Sequence, residues 1–110
     1  LPQAKSYDFA AAIGPCLLVP EKPINSNTKI HMKIERYGKT VFEGEISINQ
    51  MKRSHTELAG YLFREMAFPD GVYLMTGTCL VPDDSFTLHD GDKISIEIDE
   101  IGTLVNFVGR

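Results

Sequence analysis

A chain of 110 residues with 43% hydrophobic and 24% charged residues has the composition of one globular domain. Its formal net charge is −4 and its 11 Lys and Arg residues are scattered, so no basic stripe favours DNA or RNA. No run of the sequence approaches the roughly 20 apolar residues of a membrane-spanning helix. We therefore expect one domain over residues 1–110, with no nucleic-acid partner and no membrane span.

The first residues of the chain and its two cysteines indicate an upstream segment and a reducing cell compartment. The opening residues Leu1 to Lys5 provide neither an initiator Met nor a signal peptide, so we expect further residues upstream. Cys16 and Cys79 both lie in apolar segments and are far apart in the sequence. This favours two reduced core thiols over a metal cluster and fits a cytoplasmic location.

The first half of the chain predicts strands. Cys16 to Val19 is typical of a short buried strand, after a turn at Gly14-Pro15. From Thr28 onward apolar and polar residues alternate, and Tyr37-Gly38-Lys39 reverses the chain into a second strand that ends at Ile48. We expect a hairpin here.

The second half predicts one helix and three further strands. The helix begins at Ser54, which with Glu57 has the spacing of a capping box, and ends near Ala67. A strand is expected at 72–76, a tight turn at Asp90-Gly91-Asp92, and a last hairpin from 94–98 to 103–108 around Gly102. The expected product is a mostly β (α+β) domain with one main helix.

The segment Thr76-Gly77-Thr78 is the strongest candidate site in the sequence. An apolar stretch runs directly into a Gly flanked by two hydroxyls, so the backbone at Gly77 can approach a ligand closely. Hydroxyl and amide donors of this kind suit a small carboxylate or keto group. The alternative is a turn that only reverses the chain.

Other polar residues are weaker candidates. Lys5 stands just ahead of a small-residue stretch and can meet an anionic substrate, although a lysine near a terminus is usually only solvated. No metal-binding spacing or paired catalytic carboxylate emerges elsewhere, and surface, capping or solvated positions are expected for the following residues. They are His31, His55, His89, Glu43, Glu45, Asp83 and Asp84.

Five segments in order and in register resemble the C-terminal half of the fumarylacetoacetate hydrolase family. They are Ala4-Lys5-Ser6-Tyr7-Asp8, Ile13-Gly14-Pro15, Leu74-Met75-Thr76-Gly77-Thr78, Leu88-His89-Asp90-Gly91-Asp92 and Ile101-Gly102-Thr103-Leu104-Val105-Asn106. The resemblance covers nearly the whole chain. It implies a mixed, barrel-like β-roll, a small-molecule 2-keto acid substrate and a homo-oligomer.

The resemblance also implies roles for residues. Lys5 matches the family's active-site lysine, Thr78 the threonine that holds the substrate carboxylate, and Gly77 brings the backbone close, with Thr76 beside it. The family's divalent cation is usually Mg²⁺, with Mn²⁺ or Ca²⁺ as alternatives. Its ligands, a Glu-x-Glu pair and an Asp, precede the lysine motif, so we expect them upstream of Leu1 and none within this chain.

The continuation from Thr78 to Thr87 resembles the branch that dehydrates 2-keto-3-deoxy sugar acids such as 2-keto-3-deoxyarabinonate. This implies a hydro-lyase, in which a cation on the keto oxygen favours enolate formation and loss of a hydroxyl. In that reaction Lys5 either holds the developing negative charge or relays a proton. Two alternatives stay open: an acylpyruvate-type carbon-carbon bond hydrolase, and a non-catalytic β module that pairs with another subunit.

Overall fold

The computed structural model describes residues 2–109, without the side chains of Pro2 and Lys5. Its four strands form one antiparallel sheet in the order β2-β1-β3-β4. The elements are α1 (Pro2–Lys5), β1 (Lys29–Arg36), β2 (Lys39–Ser47), a 3-10 helix (Ile48–Gln50), α2 (His55–Leu62), β3 (Lys93–Ile98) and β4 (Gly102–Phe107). The α+β class, rich in strands and with one main helix, is confirmed. None of the helices described is long and apolar enough to cross a bilayer.

Both predicted hairpins are present, and their turns explain why. Tyr37 and Gly38 have φ values of 51° and 75°, the left-handed pair that a two-residue turn between twisted strands requires. In the turn between β3 and β4, Glu100 and Gly102 have φ values of 67° and 117°, and the Ile101 N–H donates to the Ile98 carbonyl at 3.0 Å. Turn chemistry visible in the sequence therefore sets the strand boundaries.

The sheet has one apolar face. In β1, Ile30, Met32 and Ile34 stand opposite Ile98, Ile96 and Ile94 of β3, so the alternation of the sequence puts them on the same side. Ile34 is 3% exposed and forms the centre of the core. Loop side chains cover this face, among them Phe86, whose ring lies 6.3 Å from that of Phe42 in β2.

The other face is charged and solvated. Lys29 pairs with Glu45 at 3.1 Å, and His31 pairs with Glu43 at 2.9 Å. These pairs run across β1 and β2 on the polar side of the hairpin. The two glutamates are thus surface ion-pair partners, as their alternation predicts.

A buried ion pair fastens the end of β1 to the start of β3. Asp92 is fully buried and accepts two hydrogen bonds from the Arg36 guanidinium, both at 2.8 Å, and a third from the His89 N–H at 2.9 Å. Arg36 also donates to the Thr87 carbonyl at 2.9 Å. These bonds, the one from Arg36 foremost, lower the pKa of Asp92 to about 2. The pair closes the loop that precedes β3.

The predicted strands at 16–19 and 72–76 are wrong, because neither segment joins the sheet. A strand requires a hydrogen-bonded partner, and none of the residues described pairs with either segment. The first segment instead crosses the β3–β4 turn, where the Cys16 thiol donates to the Ile101 carbonyl at 3.3 Å.

The expectation of two core thiols is also wrong: Cys16 and Cys79 are both free and exposed.

The predicted helix has the right start but ends early. Ser54 is the N-cap of α2, and its hydroxyl accepts the Glu57 N–H at 3.1 Å. The helix stops at Leu62 rather than near Ala67. Phe63 and Phe68 pack edge to face with their centroids 5.5 Å apart, a contact for which the chain must leave the helix direction.

Candidate functional site

A groove of about 480 Å³ lies where the start of α2 and the Thr76–Cys79 segment meet one end of the sheet. Much of its lining is aliphatic, from the apolar face of the sheet and the adjoining loops. These residues are Ile24, Ile30, Ile46, Ile48, Ile98 and Ile101. An apolar lining with few polar groups is the usual composition of a small-ligand site.

The candidate segment Thr76-Gly77-Thr78 lines this groove. Gly77 has φ 83°, a conformation that a residue with a side chain rarely adopts, so its glycine identity is a backbone requirement. The Thr78 Oγ1 accepts the Leu80 N–H at 3.0 Å, which orients the hydroxyl and leaves its hydrogen available to donate. The segment thus presents exposed donors to the groove.

Three basic residues, Lys52, Arg53 and His55, line the groove together with the threonines. They stand where the chain passes from the 3-10 helix into α2, around the N-cap Ser54. Among the residues described, no Asp or Glu lines the groove, although the chain contains 15 acidic residues. The charged side chains in its lining are therefore all basic, in a chain of net negative charge.

This basic cluster was not predicted from the sequence. The signal was present, because Lys52-Arg53-Ser54-His55 places three basic residues within one short segment directly before a predicted helix. Only the fold shows that this segment and Thr76-Gly77-Thr78 line the same groove.

The other predicted site residue, Lys5, closes α1, and its side chain lies outside the part of the chain that the structure describes. Its role stays a prediction.

The residues described do not fit a metal site. Within residues 2–109 no group of three or more His, Cys, Asp or Glu side chains could hold a metal ion. His31 is paired with Glu43, and the backbone N–H of His89 serves Asp92. The divalent cation implied by the family resemblance has no ligand set among these residues.

Comparison with known proteins finds relatives that are similar along nearly the whole chain. A probable 2-keto-3-deoxyxylonate dehydratase from Haloferax volcanii is 40% identical over 109 residues, covering 98% of this chain and 38% of the relative. A 2-dehydro-3-deoxy-D-arabinonate dehydratase from Saccharolobus solfataricus is 40% identical over 111 residues, covering 100% of this chain and 37% of the relative. The chain thus spans under two fifths of the length of these relatives.

A solved structure agrees with the sequence comparison. The structure of 2-keto-3-deoxy-D-arabinonate dehydratase complexed with magnesium and 2,5-dioxopentanoate matches with a TM-score of 0.91 and 39% identity, covering 98% of this chain and 39% of that chain. The family described as fumarylacetoacetate (FAA) hydrolase C-terminal matches residues 1–109. The motifs, the fold and these matches agree, and the chain belongs to the fumarylacetoacetate hydrolase family.

Proposed function

We propose that the protein containing this chain is a hydro-lyase that removes water from a 2-keto-3-deoxy sugar acid such as 2-keto-3-deoxyarabinonate. The observation that carries the proposal is the 40% identity, along essentially the whole chain, to two proteins named as dehydratases of such acids. The groove supports it, since hydroxyl donors and basic side chains face one cavity of small-ligand size.

In this proposal the chain's own residues bind and orient the substrate. Thr78 donates its hydroxyl hydrogen to the substrate carboxylate, Gly77 allows the backbone to approach it, and Thr76 supplies a second hydroxyl nearby. Lys5 is the proposed catalytic residue, which holds developing negative charge or moves a proton. Fixing the carboxylate sets the orientation of the carbon atoms that react.

Magnesium belongs to the proposal only as a property of the larger protein. A matching dehydratase structure is described as complexed with magnesium. The residues described here offer no group of three or more ligands, so a complete ligand set needs polypeptide outside them.

The size and apolar character of the exposed surface support the proposal that the chain is one part of a larger protein. The chain exposes 9244 Å², whereas a folded monomer of 12.3 kDa exposes about 6100 Å². Large apolar side chains such as Leu17, Val19 and Met75 are more than half exposed. Further polypeptide or a second copy of the chain is proposed to cover part of this surface.

The test is a substrate survey with the full-length protein and magnesium. Dehydration of a 2-keto-3-deoxy sugar acid leaves all carbon atoms in one product, whereas an acylpyruvate-type hydrolase releases two acids from a diketo acid. We expect the first result. Release of two acids from diketo acids, with sugar acids unchanged, would refute the dehydratase.

The role of Thr78 has its own test. Thr78→Val should weaken binding of pyruvate, a simple 2-keto acid, about tenfold, because a hydrogen bond to a charged group is lost. Thr78→Ser keeps the hydroxyl and should bind normally. Thr103→Val, at an exposed position of β4, is the matched control. Unchanged affinity of Thr78→Val in a calorimetric titration removes Thr78 from the site.

A second candidate is a non-catalytic β module that pairs with another subunit. The exposed apolar side chains, among them Leu17, Val19 and Met75, favour it, because a paired subunit would cover them. A complete site should be stabilised against heat by magnesium plus pyruvate, since ligands that bind only the folded state raise its stability. A bare module should show no such shift, and this measurement separates the two candidates.

A further inference from the structure

The basic side chains that line the groove suit an anionic ligand group. Among the residues described, neither Lys52 nor Arg53 has a carboxylate within ion-pair distance, whereas Lys29, Lys33, Arg36 and Lys93 are paired. Lys22, Lys39 and Arg64 are also without a carboxylate at that distance, but none of them lines the groove. A cluster of unpaired cations raises the local concentration of anions through its field. The groove can therefore hold a negative charge that the chain itself does not supply.

Arg53 is the arginine of the cluster. Like His55, it lines both the 480 Å³ groove and an adjoining cavity of about 200 Å³, so both residues stand at the boundary of the two cavities. The backbone on both sides is hydrogen-bonded: the Met51 N–H donates to the Ile48 carbonyl at 3.1 Å, and the Leu58 N–H donates to the Ser54 carbonyl at 3.1 Å. The segment that carries Arg53 is thus anchored before and after it.

The chemistry of a guanidinium matches a carboxylate. Its planar set of N–H donors makes paired, charge-assisted hydrogen bonds to the two carboxylate oxygens, which a neutral amide cannot accept with equal strength. We propose that Arg53 acts with Thr78 to bind the carboxylate of the 2-keto acid, so that it selects acids over their uncharged analogues. This inference rests on the proposed function, because it takes the substrate to be a 2-keto acid.

Lys52 and His55 have a lesser part in this proposal. Both line the groove, and Lys52 adds positive charge that attracts the acid as it approaches. Neither offers the paired donor geometry of Arg53. Discrimination between an acid and its amide therefore depends mainly on Arg53.

The experiment compares two probes with the full-length protein in the presence of magnesium. Pyruvate carries the carboxylate, and pyruvamide has nearly the same shape without the charge. Dissociation constants are measured by calorimetry for the wild type, Arg53→Gln and Arg53→Lys. Arg64→Gln is the matched control, since Arg64 lies just beyond α2, over the Tyr61 ring, and does not line the groove.

Arg53→Gln should weaken pyruvate binding about tenfold or more and leave pyruvamide within about twofold. Arg53→Lys should recover part of the loss, and Arg64→Gln should match the wild type. Equal weakening of both probes by Arg53→Gln would mean a structural role, and unchanged pyruvate binding would mean no role; either overturns the inference. Failure of the wild-type protein to bind pyruvate also overturns it.

The same experiment separates this inference from the proposed function. If the protein dehydrates the sugar acid while Arg53→Gln binds pyruvate normally, the dehydratase proposal is supported and the role of Arg53 is refuted. If no dehydration occurs but Arg53→Gln still abolishes the preference for pyruvate over pyruvamide, the carboxylate site is supported and the dehydratase proposal is refuted.

Discussion

The contact between Gly44 and Leu80 links the sheet to the candidate site, and Gly44→Ala tests it. Gly44 lies in β2, and a Cβ added there would stand 2.5 Å from Leu80 Cδ1 and 3.6 Å from its Cγ. Leu80 donates its N–H to the Thr78 hydroxyl. A displacement of Leu80 that includes its backbone therefore reaches the proposed carboxylate site through one hydrogen bond.

The size of the effect follows from the distances. Carbon atoms in contact stand about 3.5–4.0 Å apart, so Leu80 Cδ1 must move by about 1 Å or more. Overpacking of a well-packed core costs about 1–3 kcal/mol, and a half-buried Leu80 side chain that can turn aside puts Gly44→Ala at the low end of that range. Alanine offsets about 0.4–1 kcal/mol of that by restricting the unfolded chain, if the backbone conformation suits it. We expect Gly44→Ala to lower the unfolding free energy by up to about 1 kcal/mol and to weaken pyruvate binding.

The assay is urea denaturation of the full-length protein together with pyruvate titration. Gly60→Ala is the matched control, because Gly60 lies within α2 and a Cβ there meets nothing within 4 Å. That substitution should stabilise the protein by about 0.5–1 kcal/mol through helix propensity. In a Leu80→Ala background, Gly44→Ala should lose its destabilising effect, since the clashing methyl group is gone. An equal loss of stability in both backgrounds would refute the contact as the cause.

Two further predictions concern the buried carboxylate and the proposed catalytic residue. The pKa of Asp92 is lowered to about 2, mainly by its hydrogen bonds from Arg36, so the ionised form stabilises the fold above about pH 4 and this stabilisation is lost as the pH falls toward 2. The difference in unfolding free energy between the wild type and Asp92→Asn should therefore shrink between pH 4 and pH 2 in denaturant titrations, and a constant difference would contradict the assignment. Lys5→Met should abolish dehydration by the full-length protein while pyruvate still binds and the thermal midpoint stays unchanged. Retained turnover would remove Lys5 from the mechanism.

The sequence by itself determined the local structure. Alternation predicted both hairpins, glycines at turns predicted where they reverse, and Ser54 with Glu57 predicted where α2 begins. These features depend on neighbours a few residues apart, whose geometry is set by the covalent chain. The resemblance of five ordered motifs indicated the family, which the comparisons confirm.

Contacts between distant residues were decided only by the tertiary structure. The segments 16–19 and 72–76 have the composition of strands but join no ladder, because pairing depends on a partner that composition does not show. Arg36 and Asp92 stand 56 residues apart, and neither motif nor spacing connected them. Arg53 and Thr78 line one groove for the same reason: the fold brings two separate segments to one end of the sheet. The hydroxyls of the candidate site were predicted from the sequence, whereas only the fold showed that basic residues lie in the same groove.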